Sequence, residues 1–170
     1  MRVPRLLCGV VAITLLGAVP ALAQSSDGAE VTADFQVGKA SPDAKWLNVG
    51  YLFSSYATYG QFEARPVVEF TLLNHSFGGG GYTDKVIMGG LVFEKPADAG
   101  KVSPFGEVQG GILTCCGDTS FGIRYGGGVR YAYGPQLDFR VRFSLLTGFY
   151  DGFVDTGWGI GGGIVWKLGQ

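Results

Sequence analysis

From Leu137 to Leu145 the chain reads Leu-Asp-Phe-Arg-Val-Arg-Phe-Ser-Leu, with every bulky apolar side chain on one parity and every polar one on the other. Successive side chains of a β-strand point to opposite faces, whereas a helix would scatter these arginines around its circumference. The same parity recurs along the chain. Val31, Ala33, Phe35 and Val37 oppose Glu30, Thr32, Asp34 and Gln36, and Phe62, Ala64, Pro66, Val68 and Phe70 oppose Glu63, Arg65, Val67 and Glu69. Further on, Phe121, Ile123, Tyr125, Val129, Tyr131 and Tyr133 oppose Gly122, Arg124, Gly126, Gly128, Arg130 and Ala132. Trp158, Ile160, Ile164 and Trp166 oppose glycines and Lys167.

Dividing the chain at turn-forming clusters predicts eight strands, over residues 30–38, 45–54, 62–73, 84–94, 104–113, 121–133, 136–146 and 156–168. The connections between them are Ser41-Pro42-Asp43, Ser55 to Gly60, the glycine tract 78–81, Pro96 to Gly100, Cys116-Gly117-Asp118, Tyr133-Gly134-Pro135 and Asp151 to Thr156. None is long enough for the crossover of a dozen or more residues that parallel strands need. The expected fold is therefore all-β, an antiparallel meander closed into an eight-stranded up-and-down barrel. The strand around Val86 to Phe93 is apolar on both parities, so its faces are not assigned.

Alternation says which residues share a face but not which face is inside. A soluble, lipocalin-like carrier turns the apolar set inward around a ligand; a transmembrane β-barrel turns it outward. An eight-stranded barrel is only just wide enough for side chains to fill it, and the apolar set holds too many Phe, Tyr and Trp rings to fit. The other set is glycine with acids and bases in near balance, small enough to leave room for long arginines. It comprises Glu30, Asp34, Glu63, Glu69, Glu107 and Asp138 with Arg65, Arg124, Arg130, Arg140, Arg142 and Lys167. These twelve are the expected lumen ion-pair network, a polar plug rather than a conducting pore. Only 16% of the residues are charged, against about 25% in a usual soluble domain.

The remaining composition narrows the classes. The balance of 13 Lys+Arg against 14 Asp+Glu argues against nucleic acid as a partner, and the 14% aromatic content argues against disorder. Arg2 and Arg5, the apolar run Leu6 to Val19 and Ala21-Leu22-Ala23 form the three parts of a secretory signal peptide. The expected organisation is a cleaved signal peptide over 1–23, a short N-terminal segment over 24–29 and a barrel domain over 30–170.

Several stretches carry a likeness to a known family: Pro104-Phe105-Gly106-Glu107-Val108-Gln109-Gly110-Gly111, Tyr125 to Tyr131, Asp138-Phe139-Arg140-Val141-Arg142 and the final Gly-Ile-Gly-Gly-Gly-Ile-Val-Trp. With most of the chain beyond the leader, they resemble the small bacterial outer-membrane β-barrel family of the OmpA/OmpX type, porin-like in build. The resemblance implies a location in the bacterial outer membrane, outer-membrane lipids and the barrel assembly machinery as partners, and a monomer. It also places the N-terminus and the Tyr133-Gly134-Pro135 turn on the periplasmic side. Members usually finish on an aromatic residue, whereas here Trp166 is followed by Lys167-Leu168-Gly169-Gln170.

Motifs for chemistry are sparse. Gly157, Gly159 and Gly162 match G-x-G-x-x-G with no room for the helix that must follow, and the 78–81 tract lacks the Lys-Ser/Thr of a phosphate loop. No cofactor and no metal are expected, since one His and two cysteines beyond the leader do not close a zinc site. His75 beside Ser76 invites comparison with lipid A deacylase barrels, which use a His and a Ser on the lipid-facing wall. Neighbours on a strand face opposite sides, however, and no orienting carboxylate lies close in sequence. Cys115 and Cys116 admit a vicinal disulfide or two separate thiols. The function expected is therefore non-enzymatic: envelope integrity, or surface contact through loops bearing Phe77, Tyr82, Phe149, Tyr150 and Phe153. A soluble ligand carrier and a lipid-A-modifying enzyme dependent on His75 are the alternatives.

Overall fold

A strand with a free edge leaves a row of N–H and C=O groups without partners, and a chain built almost wholly of strands escapes this only by closing on itself. The computed structural model describes residues 28–39, 43–77, 80–96, 98–115 and 118–168, and in it the sheet closes. Its strands are β1 (Glu30–Lys39), β2 (Asp43–Leu52), β3 (Ala57–Tyr59), β4 (Phe62–Phe77), β5 (Gly80–Glu94), β6 (Val102–Cys115), β7 (Asp118–Ala132), β8 (Leu137–Tyr150) and β9 (Phe153–Lys167). The long strands pair antiparallel in chain order, β2 pairs with β4, and β1 pairs with β9, giving a closed 8-stranded barrel. The short β3 folds back on the start of β4 through Gly60, whose φ of 65° suits the turn.

The register fixes the shape of the barrel. From Asp138, successive Cα partners run through Val165, Thr32, Gly50, Glu69, Met88, Gly111 and Gly122 and return to β8 at Gly148, ten residues further along. With about 3.3 Å per residue and about 4.8 Å between strands, that offset tilts the strands by roughly 40° and sets a backbone radius of about 8 Å. Such a cylinder holds side chains and nothing wider.

Two prolines stand inside strands without breaking the closure. The Phe53 amide donates to the Pro66 carbonyl at 2.9 Å and the Lys95 amide to the Pro104 carbonyl at 3.3 Å, in both cases just after the neighbouring strand has ended. The N–H that each proline lacks would point at this same finished edge, so the ladders lose nothing.

The strands run further than hydropathy predicts at one end. Asn74, Ser76, Thr83, Thr114 and Thr119 lie in strands although they are polar and outward-facing, because a ladder needs backbone partners and not apolar side chains. Gly80 and Gly81 likewise belong to β5, leaving 78–79 between β4 and β5. At this end the remaining connections are equally brief: 40–42, 116–117 and Asp151–Gly152. The segment Ser55 to Gly60, expected as a plain turn, contains β3.

Candidate functional site

The barrel is inside out relative to a soluble protein. Glu30, Thr32, Asp34 and Gln36 point inward and are buried, while Phe35 is 51% exposed, Ile87 58% and Val141 54%. The inward glycines of β9 make the space this requires. A Cβ on Gly159 would stand 2.8 Å from the Gln36 amide oxygen and 3.3 Å from the Trp46 ring, and one on Gly163 would overlap the Asp34 carboxylate.

Unrolled at the tilt that the register sets, the inward-facing residues fall into layers. The lowest, at the end where β1 begins and β9 ends, is a charged ring. Arg65 Nη1 donates to Glu30 and to Glu94, each at 2.7 Å, and Arg130 reaches the same two carboxylates at 2.6 and 3.0 Å. Asp138 joins this ring through Arg130 at 2.6 Å and takes Lys167 at 3.0 Å. Leu52, Val67, Val92 and Phe105 form an apolar layer above it.

The central layer turns on Arg142, which no solvent reaches. Its guanidinium meets Asp34 at 3.0 Å, Glu69 at 2.7 Å and Glu107 at 2.7 Å. Arg140 forks onto Asp34, and Arg124 pairs with Glu69 while donating to Thr71 Oγ1 at 2.9 Å. Above lies an apolar plug of Ala44, Trp46, Leu73, Val86, Met88, Leu113 and Leu146. Arg124 lies 5.6 Å from the centre of the Trp46 ring, which couples the charged layer to the plug. Near the upper mouth, His75 Nε2 and Asp84 Oδ2 are 3.0 Å apart, and the His75 ring stacks on Tyr82 at 4.3 Å.

Of the twelve residues expected in the lumen, eleven take part in the ion pairs of these two charged layers. Glu63 is half-buried at the rim of a recess of about 420 Å³ at the lower mouth and joins no ion pair among the described residues. Its expected place is taken by Glu94, which sequence reasoning missed. Glu94 belongs to β5, whose inward face carries Val86, Met88 and Val92 into the plug and the apolar layer, so both parities read as apolar. Had the charged end of that strand been weighed with its parity, Asp84 and Glu94 would both have been assigned to the lumen.

His75 corrects a second expectation. It lies in β4, past the predicted end of that strand at residue 73, and it does have an orienting carboxylate, Asp84, supplied by the paired strand. Both groups are buried in the barrel interior, and Ser76 is exposed on the opposite face. Of the proposed loop anchors, Phe149 and Phe153 are exposed, Tyr82 stacks on His75, Tyr150 stacks on Phe153, and the side chain of Phe77 lies outside the described residues. The leader, the cleavage site, Cys116 and the side chain of Cys115 also lie outside them.

The polarity, closure and ten-residue offset decide the architecture. This is the fold of the small outer-membrane β-barrels. Neisserial surface protein A shares it with a TM-score of 0.65 at 14% sequence identity, over 85% of this chain and 98% of that one. The outer membrane enzyme PagL shares it with a TM-score of 0.54 at 16% identity, over 82% and 99%. No family model and no curated protein matches the sequence. One fold therefore serves an enzyme and a surface protein alike, and only this chain's own residues speak to its activity.

Proposed function

We propose that this chain is an integral protein of the bacterial outer membrane, without enzymatic activity, whose closed and ion-paired barrel contributes to envelope integrity. The observation that carries the reading is the outer wall. From Tyr131 and Trp166 at the lower edge to Leu72, Ile112 and Trp158 at the upper, the outward positions of all eight long strands are apolar, glycine or proline. Unrolled, this belt is about 22 Å tall, close to the apolar band of roughly 25 Å that such barrels present to lipid. Aromatic rings gather at its lower edge, where Tyr131, Tyr133, Phe139 and Trp166 are exposed.

The lumen favours a scaffold over a channel. Two charged layers, the apolar layer between them and the Trp46 plug succeed one another along the lumen, and a void lined by Leu52, Val92, Phe105 and Arg130 is only about 10 Å³. Catalysis at the lipid face by His75 with Ser76 lacks geometric support, because the two point to opposite faces. Contact through the loops is also less favoured than envelope integrity, since the connections at the expected outer end are only two or three residues long.

Refolding into phospholipid vesicles tests the reading. The protein is expected to become resistant to protease, to migrate differently on gels before and after boiling, and to give no steady conductance across planar bilayers. A water-soluble monomer without detergent refutes membrane insertion; large, steady single-channel currents refute the closed lumen.

A further inference from the structure

The charged side chains of the strands divide between the two faces, and Lys167 is the lysine that joins the arginines inside. Arg65, Arg124, Arg130, Arg140 and Arg142 all face the lumen, whereas Lys39, Lys45 and Lys85 all face outward and are exposed. The three lysines stand on β1, β2 and β5, and β4 sets Asn74 between the last two, in register with Lys45. In the unrolled barrel their Cα atoms lie within about 2 Å of one height, immediately above the apolar belt. Neighbours along this arc are roughly 8 and 12 Å apart. Thr83, the partner of Asn74, and Thr114, the partner of Lys85, add exposed hydroxyls on the same wall.

Among the strand residues whose side chains are described, no carboxylate stands at an outward position; Asp43 is the register partner of Lys39. The far side of the barrel carries Thr147 and Thr156 at a similar level, so the positive charge belongs to one side of the wall. Compact ammonium groups on flexible stems, placed where hydrocarbon gives way to headgroups, suit multiply charged phosphates better than the single diester of a zwitterionic lipid.

We propose that Lys39, Lys45 and Lys85, with Asn74, Thr83 and Thr114, form a binding surface for phosphomonoester-bearing lipid headgroups in the leaflet that meets the short-hairpin end. This rests on the membrane-spanning reading and adds a lipid class and a side of the barrel to it. The lysines supply charge, the amide and hydroxyls supply hydrogen bonds, and the belt below holds the acyl chains.

The test uses the full chain refolded into phosphatidylcholine vesicles with and without phosphatidic acid, and reads the lipids retained on the protein after transfer to detergent by mass spectrometry. The parent protein should retain phosphatidic acid selectively. The triple variant Lys39→Gln, Lys45→Gln, Lys85→Gln should lose that enrichment by about tenfold or more, since each lysine near an anionic surface is worth about a fivefold preference. A Lys95→Gln, Lys101→Gln variant at the opposite end should keep it. Equal retention by parent and triple variant, or insertion without any lipid preference, overturns the binding surface while leaving the spanning barrel intact. Failure of the parent to enter vesicles overturns the spanning reading, and the binding surface with it.

Discussion

Arg142 offers the sharpest test of how the interior is held. Its guanidinium is shared by Asp34, Glu69 and Glu107 at 3.0, 2.7 and 2.7 Å, and solvent reaches neither it nor Asp34. At charge-centre separations of about 4 Å and an effective dielectric near 20, each such pair is worth about 4 kcal/mol before desolvation is counted. Replacing Arg142 with Met keeps most of the volume and leaves the three carboxylates to Arg124 and Arg140. The surplus negative charge must then be hydrated or protonated, and breaking a buried pair from one side costs about 3–5 kcal/mol. Arg140→Met is expected to cost less, about 1–3 kcal/mol, because among the described residues Arg140 is paired with Asp34 alone and Asp34 keeps Arg142. Adding Glu107→Gln to Arg142→Met removes one surplus charge and should restore at least about 1 kcal/mol, although each change alone is destabilising. Urea unfolding in vesicles, followed by Trp emission and by the boiled and unboiled gel bands, measures all four proteins. A loss below about 1 kcal/mol for Arg142→Met, a larger loss for Arg140→Met, or no recovery in the double variant would refute the hub.

Other parts of the barrel give independent expectations. Val108→Lys, on the outer wall near mid-belt, should cost about 2–4 kcal/mol in vesicles, and a neutral result would contradict lipid contact there. Trp46→Ala empties the centre of the plug and should lower stability by about 3–5 kcal/mol in the same assay; a loss under about 1 kcal/mol would mean the plug collapses around the gap. Gly161→Val should abolish refolding, because a Cβ at Gly161 overlaps the Phe35 carbonyl on β1; a normal heat-shifted band would refute that. Glu94→Gln should destabilise by about 1–3 kcal/mol while Glu63→Gln changes stability by less than about 0.5 kcal/mol, and the reverse order would return Glu63 to the network.

The sequence alone determined what is local. Period-two alternation set the strands, their antiparallel order and the face each residue occupies, and ring volume against barrel width set which face lies inside. That reasoning reached residues such as Asp34, Glu107 and Arg142 because each sits in a segment whose two faces differ sharply. It failed on β5, where an apolar plug inside meets an apolar wall outside and hides Asp84 and Glu94. It also ended strands early where Thr and Asn replace apolar residues above the belt. Tertiary closure decided the rest. Pairing between adjacent strands is a local property, but the side chain met across the lumen depends on the ten-residue offset accumulated around all eight long strands. That offset brings Asp34 of β1 level with Arg140 and Arg142 of β8, divides the charges between two layers, and lines up three distant lysines at one height on the outer wall.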